Sequence, residues 1–255
     1  MHNGRQDPAI EELYDKLQPK SVNQASYIKA IRDNTICFGV GPPGSGKTYI
    51  AAGQALEALI NREVDRIILI RPAVQAEGEN LGFIPGNAKA KIDVYLRPLY
   101  DILDTLIGVN VAAALIQDEI IQVAQVAYLR GRTLDNCFII FDEAQNATKD
   151  QLKLVMNRLG ENSKLVVTGD PDQIDLKEKQ FSSLVVAETK LSGTPGVGYI
   201  RLEPMDQQRN AVGTEAARLL DLDDGPFEDS GRAPKLRNRR LRGKGLNNQM
   251  DLSVA

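Results

Sequence analysis

The chain has 255 residues, 42% hydrophobic and 25% charged, with a formal net charge of −3; this is ordinary for a globular α/β protein of one large domain or two small ones, and it argues against a uniformly basic nucleic-acid binder. Two cysteines and one histidine exclude most thiol and transition-metal chemistry, so acid–base work falls to carboxylates and Mg²⁺ is the metal to expect. No apolar run approaches the ~18 residues of a membrane span and the polar start has no signal-peptide core, so the expected place is the cytoplasm, with no membrane partner.

Residues 1–20 read as an N-terminal helical extension, an amphipathic helix carrying Ile10, Leu13 and Leu17 and ending at Pro19. Ser21 to Ile28 follow as a capped helix start. Within it, Gln24 has a side chain whose amide can pair with both N6 and N7 of adenine. Thr35 to Val40 is a β-branched apolar run, hence a buried strand, and it leads into Gly41-Pro42-Pro43-Gly44-Ser45-Gly46-Lys47-Thr48. This stretch satisfies G-x-x-x-x-G-K-[ST] at every fixed position, and Tyr49 to Ile60 continue as a helix. Strand, glycine-rich loop and helix in that order form a phosphate cradle: glycine permits the loop conformations, and the helix N-terminus presents free amides. Lys47 then reaches the β- and γ-phosphates and Thr48 holds Mg²⁺, so Gly41 to Thr48 with Tyr49 and Gln24 form the expected nucleotide-binding set.

Ile67 to Ile70 is a second buried strand, closed by Arg71 and Pro72. The loop from Gln75 to Ala90 is long enough to suggest a functional role. A helix is expected from Lys91 to Leu106, and a β-type run from Ile120 to Ala127. Cys137 to Phe141 then opens onto Asp142 and Glu143, as expected where a buried strand meets a site at its C-terminal edge. Asp142 is the second Mg²⁺ residue and Glu143 the general base that polarises the attacking water. Cys37 and Cys137 fall in buried strands and read as core. Thr148 caps a helix from Lys149 to Leu159. Lys164 to Thr168 is a further strand, and it ends in Gly169-Asp170-Pro171-Asp172-Gln173. That sequence is strong turn chemistry, but Gln173 could also sense or position the γ-phosphate. Val197 to Leu202 is the last strand, followed by a segment through Arg209 and a helix from Thr214 to Leu222. Residues 223–255 read as a disordered tail, with seven Lys/Arg and no acid between Arg232 and Lys244. Strands alternating with helices imply a doubly wound, mostly parallel sheet with helices on both faces.

Arg71-Pro72-Ala73-Val74, Leu81-Gly82-Phe83, Tyr95 to Asp101, Arg130 to Leu134, Asp142 to Asn146 and Gly169 to Leu176, together with the P-loop, resemble the PhoH-like (phosphate-starvation-inducible) ATPases. The resemblance implies a RecA-like P-loop NTPase domain over residues 21–222, akin to the first motor domain of superfamily-one helicases, with Gln24 as their adenine-reading glutamine. It also implies a cytoplasmic ATP-binding protein linked to RNA. The family's Asp-Val-Val-Arg-His-x-Leu-Val reads here Asp206-Gln207-Gln208-Arg209-Asn210-Ala211-Val212, so only Asp206 and Arg209 match. The chain leaves no room for the RNA-binding or nuclease domains fused to some relatives, a minimal form common among bacteriophage members, which makes a phage source the expectation.

A second motor domain would supply an arginine to the γ-phosphate, and nothing obvious does so here. The expected remedy is a homo-oligomer, a ring in which Arg209 (with Arg132 or Arg158 as alternatives) enters a neighbour's site. The basic tail suggests salt-sensitive, sequence-independent contact with single-stranded RNA, although no aromatic residue lies among its charges. The leading reading is therefore Mg²⁺-dependent ATP hydrolysis coupled to RNA. A nucleotide-gated binding protein with slow turnover and a small-molecule kinase are the alternatives, and Glu143 weighs against the kinase.

Overall fold

The computed structural model describes residues 8–72, 88–176, 182–208 and 213. The chain divides into two compact units, Met1–Arg209 and Asn210–Ala255, and the sheet and its helices belong to the first. The 75–90 loop lies largely outside the described residues. So do Arg209, the 214–222 helix and the tail with its basic run.

Helices α1 (Pro8–Lys16) and α2 (Val22–Asp33) lead into β1 (Ile36–Val40), α3 (Lys47–Ile60) and β2 (Arg66–Arg71). Next come α4 (Ala88–Ile107), α5 (Val109–Gln117), β3 (Ile121–Gln125) and β4 (Cys137–Phe141), then α6 (Lys149–Met156), β5 (Lys164–Gly169), α7 (Ser183–Leu191) and β6 (Val197–Arg201). The strands form one six-stranded sheet in the order β3-β2-β4-β5-β1-β6, and every pairing is parallel. This is the doubly wound parallel sheet that the alternation of elements implied, and it fits the RecA-like domain that the family resemblance implied. No single helix among the described residues is long and apolar enough to cross a membrane.

Alternation along the strands builds two cores. Ile67, Leu69, Phe138, Ile140 and Val166 face α1 to α5, whereas Ile68, Ile70, Ile139, Phe141, Leu165 and Val167 face α6 and α7. A parallel sheet buried on both faces reads as unbroken apolar runs, and that is why these strands were legible. In β1 the run is interrupted at Gly39, where an added Cβ would stand 2.3 Å from Cζ of the fully buried Tyr27. The glycine lets α2 seat that ring directly on the strand that leads to the P-loop, and burial pushes the tyrosine hydroxyl pKa well up.

Two helices, α5 and α7, form where the sequence pattern gave no helical expectation. In α7, Val185 and Val186 carry β propensity, yet Leu184 and Ala187 share the face buried in the second core. Gly108, at φ 81°, breaks α4 from α5. At the sheet edge β3 stops at Gln125, two residues before the expected Ala127, because the chain tightens into a 3-10 turn (Val126–Leu129) that buries Val126 and Leu129.

Candidate functional site: a nucleotide cleft at the carboxyl ends of the strands

The P-loop leaves β1 on a shared ladder, with the Gly41 amide donating to the Gly169 carbonyl of β5 at 3.1 Å. Gly41 has φ 146°, and a Cβ there would lie 2.3 Å from the Leu202 carbonyl oxygen, so only glycine allows the close passage. Gly46, at φ 91°, caps α3 with no side chain, leaving the first amides of the helix to an anion. Lys47 lies across the loop, its Nζ donating to the carbonyls of Gly41 at 2.6 Å and Pro42 at 2.8 Å. Ser45 Oγ donates to the same Pro42 oxygen, which tightens the turn.

Strand β5 lies between β1 and β4, and this insertion assembles the acid end of the cleft. Asp142 follows β4 and is held by its own amide, which donates to the Ile70 carbonyl. Its Oδ1 accepts two hydroxyls, Thr48 Oγ1 from α3 and Thr168 Oγ1 from β5, each at 2.7 Å. Glu143 comes next in a left-handed conformation, φ 53°, which is costly for a residue with a Cβ. Arg71, at the end of β2, stands 3.1 Å from Glu143 Oε1 and 3.8 Å from Asp142 Oδ2. Gln145 donates to Glu143 Oε2 and accepts from the Asp170 amide. The cavity enclosed is about 250 Å³, lined by Lys47, Thr48, Asp142, Glu143, Gly169, Asp170 and Gln173, with Ile102 of α4 on one wall.

A second cavity of about 420 Å³ adjoins the first across Gly44, Gly46 and Tyr49 and is lined further by Leu17, Gln24, Ile50 and Gln208. Gln24 is buried, and its amide is already engaged: Nε2 donates to the Ser45 carbonyl and Oε1 accepts from the Lys20 amide. The segment after β6 closes this side, because the Gln208 amide donates to the Gly44 carbonyl. It is anchored by Asp206, which is fully buried and accepts from Asn23 and from the Glu203 amide. Burial pushes the Asp206 carboxyl up, but hydrogen bonds from Ser21, the Glu203 amide and Asn23 outweigh this and hold it below the usual value.

A P-loop, an acid pair and a Gly-Asp-Pro-Asp-Gln turn meet in this cleft, and the profile of the family described as PhoH-like protein matches residues 16–221. The chain belongs to the PhoH-like family. It is 46% identical over 196 residues to a PhoH-like protein of Bacillus subtilis, covering 77% of this chain and 61% of that protein. It is 46% identical over 219 residues to one of Synechocystis, covering 86% and 66%, and 42% identical over 191 residues to the PhoH protein of Escherichia coli K12, covering 74% and 54%. The chain thus spans somewhat under two thirds of the length of these relatives. Among solved structures, the large terminase of a thermophilic bacteriophage is similar at TM-score 0.48 and 11% identity, covering 79% of this chain and 50% of that one. The DUF1998 helicase MrfA bound to DNA is similar at TM-score 0.45 and 13% identity, covering 79% and 30%.

In this PhoH-like domain Lys47, Thr48, Asp142, Glu143 and Gln173 come together in one cleft, and Tyr49 and Gln24 stand on its other side. The site is that of a nucleotide-binding P-loop protein. Mg²⁺ bound with a nucleotide fits the residues present, since Thr48 and Asp142 offer hard oxygen atoms and the ion would complete its shell with phosphate and water. Among the described residues there is no group of three or more His, Cys, Asp or Glu that could hold a metal ion. Arg132 donates to Gln122, and Arg158 donates to the Arg132 carbonyl, so both alternative arginines are engaged inside their own chain.

Sequence reasoning missed Arg71, Gln145 and Thr168 as site residues. The signal was present for Arg71 and Thr168, because each closes a buried strand at the same edge as Asp142. What linear reading lacked was the strand order that brings those ends together.

Proposed function

We propose that the protein is a Mg²⁺-dependent ATPase acting as a homo-oligomer, a ring, whose turnover is coupled to single-stranded RNA. The observation that carries the hydrolysis reading is the convergence of the Thr48 and Thr168 hydroxyls on Asp142, with Glu143 beside it and Lys47 across the cavity. Lys47 and the α3 amides bind the β- and γ-phosphates; Thr48 and Asp142 would hold Mg²⁺, which would supply charge neutralisation on the transferring phosphoryl group. Glu143 takes a proton from the attacking water and Gln173 orients that water or the γ-phosphate. The cavity beside Tyr49 and Gln24 receives the base.

The oligomer is argued from the composition of the cleft. Among the described residues that line the phosphate cavity there is no arginine, and such a residue is worth roughly 10³-fold or more in phosphoryl transfer. Arg209, just past Gln208, is the first candidate to act in a neighbour's site. RNA coupling rests on the basic run from Arg232 to Lys244.

The deciding measurement is steady-state ATP hydrolysis against single-stranded RNA at low and high salt, with the oligomer mass recorded on the same sample. Turnover that rises with RNA and is lost in Glu143→Gln supports the whole reading. Turnover indifferent to RNA at every salt removes the coupling. Full activity in a monomer removes the arginine supplied in trans.

A further inference from the structure

Glu143 is held from three directions. Its backbone is in the left-handed region, Arg71 Nη2 stands 3.1 Å from one carboxylate oxygen, and Gln145 Nε2 donates to the other. Gln145 is itself 1% exposed, and its Oε1 accepts from the Asp170 amide at 3.1 Å. Room for that bond exists only because residue 169 is glycine: a Cβ there would lie 2.4 Å from Gln145 Oε1. The Arg71 guanidinium also stands 3.8 Å from Asp142 Oδ2, so it faces both acids. The ends of β2, β4 and β5 are thereby tied into one unit whose centre is the Glu143 carboxylate.

We propose that Arg71 and Gln145 are positioning residues for Glu143, fixing its carboxylate relative to the Asp170–Gln173 turn so that the base and the γ-phosphate-facing segment keep one geometry. The proposal deepens the hydrolase reading and rests on it. A glutamate side chain has three rotatable bonds, and a general base works only when its oxygen lies within hydrogen-bond reach of the water it activates. A guanidinium on one side and a buried amide on the other remove that freedom before the nucleotide arrives. Neither group needs to touch the nucleotide, which separates their role from that of Lys47.

The test compares ATP turnover and nucleotide affinity in Arg71→Gln, Arg71→Lys and Gln145→Asn, each alone and combined with Glu143→Gln. In Arg71→Gln, kcat is expected to fall by roughly 10- to 100-fold while the nucleotide Kd stays within about threefold, and Lys restores part of the loss. Retained binding also shows that the variant is folded. On the Glu143→Gln background the same change should add less than about a twofold loss, because a residue acting through Glu143 has nothing left to position. Multiplicative losses would overturn the proposal, as would a Kd that weakens in step with kcat, since Arg71 would then be a phosphate contact. If the wild-type protein binds ATP but releases no phosphate, the hydrolase reading fails separately. The clamp is then judged from the side-chain amide signal of Gln145 in ¹⁵N spectra of the free protein. That signal must move in Arg71→Gln and recover in part in Arg71→Lys, and a signal that ignores Arg71 overturns the clamp.

Discussion

The two halves of the cleft are built in opposite ways. The phosphate half is made from strand ends: Gly41 to Thr48 follow β1, Asp142 and Glu143 follow β4, and Gly169 to Gln173 follow β5. Its side chains are locked to one another through charge-assisted bonds, above all at Asp142. The base half is assembled from distant pieces, with α1 supplying Lys16, α2 Gln24, α3 Tyr49 and Ile50, and the segment after β6 Gln208. Backbone bonds such as Gln208 to Gly44 hold it, and no ladder does. Chemistry with tight geometric tolerance sits on the rigid edge of the sheet. On the proposed reading, base recognition, which tolerates looser geometry, falls to packed helices and a connecting segment.

The contrast predicts large catalytic effects on the first side and small binding effects on the second. Lys47→Ala should lower ATP turnover by about 10²- to 10³-fold or more, because on the proposed reading it removes the cation that binds the β- and γ-phosphates; phosphate-release assays at saturating Mg²⁺ measure it. Thr168→Val keeps the volume but takes one hydroxyl from Asp142, and a buried hydrogen bond to a charged group is worth about 1.5–3 kcal/mol. A roughly tenfold or greater fall in turnover with a raised Mg²⁺ requirement is expected, and Thr168→Ser should recover it. A valine variant with wild-type Mg²⁺ dependence would break the picture of a locked phosphate half. Gln24→Ala should weaken ATP binding only about tenfold, by loosening the Ser45 and Lys20 contacts, with kcat nearly unchanged. A loss of kcat as deep as that of Lys47→Ala would erase the distinction between the halves.

The smallest effect concerns stability on the base side. The folded-state pKa of Asp206 is held below the ordinary aspartate value, so the native protein favours its charged form. That contribution is complete above the unfolded pKa and disappears as pH falls through the lower folded one. Asp206→Asn should therefore melt below wild type at neutral pH, and the difference should narrow on acidification to about pH 3, followed by thermal unfolding across the series.

The difference between the halves also explains what the sequence disclosed. Lys47, Thr48, Asp142, Glu143 and Gln173 were legible because each sits in a short contiguous stretch whose spacing is dictated by one phosphate chain. Thr168, Arg71 and Gln145 act only because β5 is inserted between β1 and β4 and β2 flanks β4 on the other side, and strand order is not written in any single segment. Gln24 was legible as a glutamine ahead of a P-loop, but the bonds that occupy its amide come from Lys20 and Ser45 through the packing of α2. The four inner strands were easy to read because they are buried on both faces. Helix α7 escaped because Val185 and Val186 resemble a strand until the second core claims Leu184 and Ala187.

The bond from the Gly41 amide to the Gly169 carbonyl closes the last rung of the β1–β5 pairing, Val40 with Gly169. The P-loop and the turn that carries Gln173 therefore start from the same rung and share a single hinge. A displacement of the turn, whatever causes it, would reach the loop through the main chain within one residue. Substitutions that sever every side-chain link between the two would still leave them mechanically yoked.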